Sequence, residues 1–140
     1  MGVVLDGYCS DMTRVLHPQQ PSKRQKEIYE LLVDTTQTII DEIKIGTPLR
    51  EYHIRAQKLL GTYSQYFTHG LGHGIGIDIH EQPNLSPKSE EITQPGMVFT
   101  IEPGIYIPDE IGSRFEQIVV VHPDGNIKNI IQAPSCIHWN

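Results

Sequence analysis

His69-Gly70-Leu71-Gly72-His73-Gly74-Ile75-Gly76 puts a glycine at every second position. Such a run is too glycine-rich for a helix, because each glycine costs about 1 kcal/mol of helix propensity relative to alanine. The segment is therefore a loop, or a strand packed closely against its neighbours. His73 lies at its centre, where flanking glycines let ring and backbone approach a neighbouring group. Taken alone it is either a structural histidine or a ligand. The run is not a dinucleotide-binding turn. Counted from Gly70 or Gly72, the third required glycine falls on Ile75 or Ile77, and no helix follows.

Upstream, Ser22 and Gln25 make a capping box, and Ile28, Leu31, Leu32, Thr35, Ile39 and Ile43 keep helical spacing until Gly46. Thr47-Pro48 starts a second helix, with Leu49, Tyr52, Ala56, Leu59 and Leu60 on one face, Pro48 in the first turn and an end near Gly61. Before both, Val3-Val4-Leu5, the turn signal Asp6-Gly7 and the loose alternation from Tyr8 to Val15 predict a hairpin over Gly2 to Leu16. Downstream, Met97 to Ile101 and Phe115 to Val121 read as buried strands. The turn His122-Pro123-Asp124-Gly125 then leads to a last strand around Ile127 to Ile131. A hairpin, two helices and then strands make an α+β chain, without internal repeat, low-complexity segment or linker.

The 140 residues, 38% apolar and 20% charged, suit one domain. A net charge of −6 with scattered Lys and Arg argues against a nucleic-acid surface. No run reaches the roughly 18–20 apolar residues of a membrane span, and no basic-then-apolar leader opens the chain. The expectation is a cytoplasmic protein with no membrane contact. Met1-Gly2 does not start a myristoylation signal, since position 6 is Asp6. Cys9 and Cys136 have no CxxC spacing and read as buried or free thiols.

Two acids sit where acids should not. Glu102 ends the apolar run Val98-Phe99-Thr100-Ile101, and Glu116 leads from Phe115 into Ile118-Val119-Val120-Val121. A carboxylate buried there costs several kcal/mol unless it is paired or holds a cation. Arg114 and Glu116 are two apart and, in one strand, would share a face. They then form either an ion pair on a solvated sheet face or part of a cation site. His80-Glu81 is not a zinc-protease helix motif, because the histidine required four residues after His80 is Asn84.

In combination and order these segments resemble one family. Ser10-Asp11-Met12-Thr13-Arg14, the His69 to Gly76 run, His80-Glu81-Gln82-Pro83, Pro95-Gly96-Met97 leading to Thr100-Ile101-Glu102-Pro103-Gly104, and Arg114-Phe115-Glu116 are similar to the successive signatures of the pita-bread metallopeptidases. That family includes methionine aminopeptidases and Xaa-Pro peptidases. Arg114-x-Glu116 resembles the Xaa-Pro dipeptidase and aminopeptidase branch.

The resemblance implies a partial pita-bread (creatinase/aminopeptidase-like) fold, an antiparallel curved sheet with helices on its outer face. Residues 1–140 would be the C-terminal part of a catalytic domain. It implies Asp11, His73, Glu102 and Glu116 as metal ligands, with Asp11 and Glu116 bridging two ions. That oxygen-rich set suits Mn²⁺, Co²⁺, Fe²⁺ or Zn²⁺. His80 would donate a hydrogen bond to substrate near the scissile bond, His69 would line the proline-side pocket, Arg114 would orient the bridging carboxylate, and Glu102 would also shuttle a proton. The family's fifth ligand, an aspartate, would fall immediately before Met1, so one ion is expected here where the family holds two. The implied activity is removal of the N-terminal residue from short peptides with proline in second position, impaired by truncation. The alternative is a non-catalytic remnant that binds peptide or a partner protein. Open sheet edges and apolar faces would favour a homodimer.

Overall fold

A computed structural model of the chain describes residues 1–17, 20–135 and 137–138. In chain order the elements are β1 Val4–Leu5, β2 Tyr8–Cys9, β3 Leu16–His17, α1 Lys23–Glu42, α2 Leu49–Leu60, a 3-10 turn Gly61–Tyr66, β4 Gly72–Gly74, β5 Glu81–Leu85, β6 Val98–Ile101, β7 Gly104–Ile107, β8 Ile111–Arg114, β9 Gln117–Val121, β10 Ile127–Asn129 and β11 Ile137–His138. An antiparallel five-stranded sheet in the order β10-β9-β6-β4-β5 forms the centre. Hairpins β1-β2 and β7-β8 flank it, and β3 pairs with β11 in parallel.

The predicted capping box is present. Ser22 Oγ accepts from Gln25 N at 3.2 Å and Gln25 Oε1 accepts from Ser22 N at 2.8 Å, a cap worth about 1 kcal/mol. Ile28, Leu32, Thr35, Thr36, Ile39 and Ile40 form the buried face of α1, while Leu31 is only partly covered. Leu49, Tyr52, His53, Ala56 and Leu60 bury α2. Pro48 turns out to be the N-cap of α2 rather than a first-turn residue. α1 packs on β6, β8 and β10, and α2 packs on β5. The apolar cluster between them contains Leu71, Leu85, Phe99, Ile101, Ile105, Val119 and Val121.

The glycine run is a central strand. β4 lies between β5 and β6, so close that a Cβ on Gly72 would stand 1.9 Å from Thr100 O and one on Gly74 would stand 2.2 Å from Gln82 O. That space is filled by backbone, which explains the alternation seen in the sequence. The N-terminal hairpin turns at Asp6 and Gly7 with φ of 51° and 85°, as the dipeptide predicts. Its strands are shorter than expected, with β2 ending at Cys9.

One expectation needs correction. The segment from Phe115 to Val121 is not one strand: β8 ends at Arg114, β9 begins at Gln117, and Phe115 and Glu116 lie between them. The reason is a change of partner, since β8 pairs with β7 whereas β9 pairs with β6. β5 and β7 had no clear sequence signal. Among the described residues, no helix is long and apolar enough to cross a membrane. Cys9 is a free, half-buried thiol, and Cys136 lies outside the described residues.

Candidate functional site

Strand alternation in β6 separates core from site. Phe99 and Ile101 point into the apolar cluster, which sends Thr100 to the opposite face. There Thr100 Oγ1 accepts from His73 N at 3.0 Å and donates to Glu102 Oε1 at 3.0 Å. This hydroxyl therefore couples β4 to the acid at the end of β6.

His73 is held by its own strand. Its Nδ1 lies 3.0 Å from Gly74 O, and a carbonyl only accepts, so Nδ1 carries the proton and Nε2 faces the acids. Nε2 is 3.2 Å from Glu102 Oε1 and 3.9 Å from Asp11 Oδ2. Burial works against charging this imidazole, but the Glu102 hydrogen bond, the Gly74 carbonyl and the charges of Glu102 and Asp11 outweigh it and raise its pKa. For Glu102, burial favours the neutral acid. The His73 bond and charge, Thr100 and Arg114 prevail and lower its pKa.

Glu116 is 1% exposed. Thr13 Oγ1 donates to its Oε2 at 2.7 Å, whereas Oε1 is buried without a hydrogen-bond partner. Burial raises its pKa; Thr13 opposes this, and the nearby charges of Glu102 and Asp11 add to it. Ligand atoms of Asp11, His73 and Glu116 all lie within 4.8 Å of one another. Metal–ligand bonds of about 2.0–2.2 Å place ligands on opposite sides of one ion about 4.4 Å apart. Small side-chain adjustments would thus close this set around a cation. Three carboxylates, a suitably aimed imidazole and an unpaired buried oxygen fit a divalent ion.

Arg114 Nε lies 3.7 Å from Glu102 Oε2. Its route to Glu116 runs through Thr13, whose Oγ1 accepts from Arg114 Nε at 3.0 Å and from Nη2 at 2.8 Å. His69 meets Tyr106 OH through Nε2 at 3.1 Å and stands edge-on to Phe67. His80 is exposed, with its ring 4.2 Å from that of His73. An open cavity of about 520 Å³ is walled by His69, His73, His80, Asn84, Glu102 and Arg114, with Gly70, Gly72 and Ser86 completing it. The structure thus brings together every site residue expected from the sequence, with Asp11 and Glu116 adjoining the cavity at His73.

Four functional neighbours escaped the sequence reading. Thr13 and Arg14 lay inside a quoted motif without a role, and Thr100 could have been found as the residue sharing a strand face with Glu102. Tyr106 carried no signal.

Comparison with known proteins agrees with this geometry. Residues 1–123 match the model of metallopeptidase family M24. The chain is 42% identical over 139 residues to the peptidase YqhT of Bacillus subtilis (strain 168), covering 95% of this chain and 38% of that protein. A dipeptidase from Pyrococcus horikoshii OT3 superposes with a TM-score of 0.93 at 35% identity, over 99% of this chain and 39% of that one. The prolidase from Pyrococcus furiosus gives 0.90 at 36% identity, over 95% and 40%. The chain spans about two fifths of the length of these relatives. The α+β layout with its antiparallel central sheet is the pita-bread arrangement the sequence implied. With the carboxylates and His73 converging at one end of that sheet, the chain belongs to metallopeptidase family M24, and its solved relatives include a dipeptidase and a prolidase.

Proposed function

We propose that this chain carries the metal-binding centre of a hydrolase that removes the N-terminal residue from short peptides with proline in second position. The observation that carries the reading is the meeting of Asp11, His73 and Glu116 beside Glu102, with Glu116 Oε1 buried and unpaired. Asp11, His73, Glu102 and Glu116 would hold Mn²⁺, Co²⁺, Fe²⁺ or Zn²⁺. When bound, such an ion polarises a carbonyl and makes water acidic enough to attack at neutral pH.

The remaining chemistry belongs to the side chains. Glu102 would take and return a proton, since it already bonds His73 and Thr100 at the cavity wall. His80, exposed above His73, would donate to the substrate beside the scissile bond. His69, braced by Tyr106 and Phe67, would line the proline side. Arg114 would keep the carboxylates oriented through Glu102 and Thr13. The proline preference is supported by the prolidase named above and by Arg114-x-Glu116.

Elemental analysis tests the centre, and cleavage of Leu-Pro against Leu-Gly tests the specificity. The expected result is about one divalent ion per chain, lost in His73→Ala and Glu102→Ala, and weak metal-dependent cleavage that favours Leu-Pro. Undiminished metal content in both variants would sink the ligand assignment. Metal uptake with no cleavage of either dipeptide would move the reading to a peptide-binding, non-catalytic role.

A further inference from the structure

The hydroxyl of Thr13 has one hydrogen and two lone pairs. Arg114 Nε and Nη2 approach it at 3.0 and 2.8 Å, and a guanidinium offers only donors, so both lone pairs are occupied. The single hydrogen then points to Glu116 Oε2 at 2.7 Å. Each group has one possible role, so the direction of this bond cannot reverse.

The backbones of the same two residues are tied as well. Arg14 Nη1 donates to Thr13 O at 2.8 Å and to Glu116 O at 2.6 Å. The Arg14 guanidinium lies 4.4 Å from the centroid of the Phe115 ring, and its Nη2 donates to Gln117 Oε1 at 3.2 Å. Two arginines therefore grip the Thr13–Glu116 pair, one at the main-chain carbonyls and one at the threonine hydroxyl. Glu116 Oε1 is left as a buried acceptor without a partner.

We propose that Thr13 is a positioning residue for the metal centre: its hydroxyl, fixed in direction by Arg114, pins Glu116 Oε2 and so presents Oε1 to the ion. This rests on Glu116 being a ligand. A carboxylate held at one oxygen keeps its plane when the ion is absent, and the site does not have to reorganise on binding. Arg114 then acts on Glu116 through Thr13 as well as on Glu102 directly.

The test is Mn²⁺ affinity by titration calorimetry on the 140-residue chain, with the visible absorption bands of the Co²⁺ form as a second readout. Thr13→Val removes the hydroxyl at nearly constant shape and should weaken Mn²⁺ about 10- to 100-fold, the usual range for a group that orients a ligand. It should also shift the Co²⁺ bands. Thr13→Ser keeps the hydroxyl and should restore both, which a packing role for the threonine methyl would not allow. Thr13→Val binding Mn²⁺ as tightly as the parent chain overturns the proposal, and so does Thr13→Ser weakened to the same extent as valine. If the valine form folds poorly, the serine form decides. A parent chain that takes up no divalent ion would instead overturn the metal reading of the site.

Discussion

In a Glu116→Gln chain the buried carboxylate becomes a neutral amide of nearly the same shape, and two effects of Glu116 separate. The amide oxygen still accepts from Thr13, replacing the 2.7 Å bond to Oε2, while the new N–H₂ can donate toward the neighbouring carboxylates. The parent chain leaves Oε1 buried and unpaired, beside Glu102 and Asp11. An unsatisfied buried acceptor costs about 1–3 kcal/mol, so the metal-free variant should be more stable by about that amount. For a chain of this size that is a rise in Tm of about 3–10 °C. The pH dependence has a definite sign. The folded pKa of Glu116 is raised above its usual 4.5, so its contribution is fully present below that value and is lost as pH rises through the folded pKa. The advantage of the glutamine form should therefore grow with pH. Divalent ion reverses the order. At 100 times the Kd it should stabilise the parent by about 2.7 kcal/mol and the variant hardly at all. Thermal unfolding at pH 5 and pH 8, with chelator or with Mn²⁺, measures all four states. A metal-free variant that melts below the parent at pH 8, or an equal response of both forms to Mn²⁺, would refute the reasoning.

Two further outcomes follow from groups that are not themselves ligands. His53 is 3% exposed, stacks on Phe67 at 5.0 Å and has an unpaired Nδ1. Burial, reinforced by the proximity of His69, lowers its pKa. Its contribution is complete above the ordinary value of 6.5 and is lost as pH falls through the folded value. Urea midpoints at pH 7.5 and 5.5 should therefore fall less in His53→Phe than in the parent; equal falls would show that His53 does not titrate on unfolding. Gly72→Ala would set a Cβ 1.9 Å from Thr100 O and should cost about 3 kcal/mol or more, whereas Gly112→Ala meets only Tyr106 Cδ1 at 3.6 Å and should cost little. Similar urea midpoints for the two alanine forms would mean that β4 is not packed as described.

Features made by residues close in sequence were readable before any coordinates. The capping box at Ser22 and Gln25, the turn at Asp6-Gly7 and the helical faces express hydrogen bonds and steric limits spanning a few residues. The ordered motifs from Ser10 to Glu116 carried the family, and the ligand set is what that resemblance implies. The residues alone left His73 open between structural and ligand roles, and Glu116 open between an ion pair and a cation site. What favours the cation-site reading lies in the tertiary structure, because the contacts that bear on it join distant parts of the chain. Thr13 reaches Glu116 across 103 positions, and Arg114 reaches Thr13 across 101. The break at Phe115 and Glu116 is likewise invisible to a periodicity argument, since it arises where the chain passes from pairing with β7 to pairing with β6. An apolar or glycine pattern reports which face of an element is covered. It does not report what covers it, and the charge, the unpaired Oε1 and the held hydroxyl of this site all depend on that second fact.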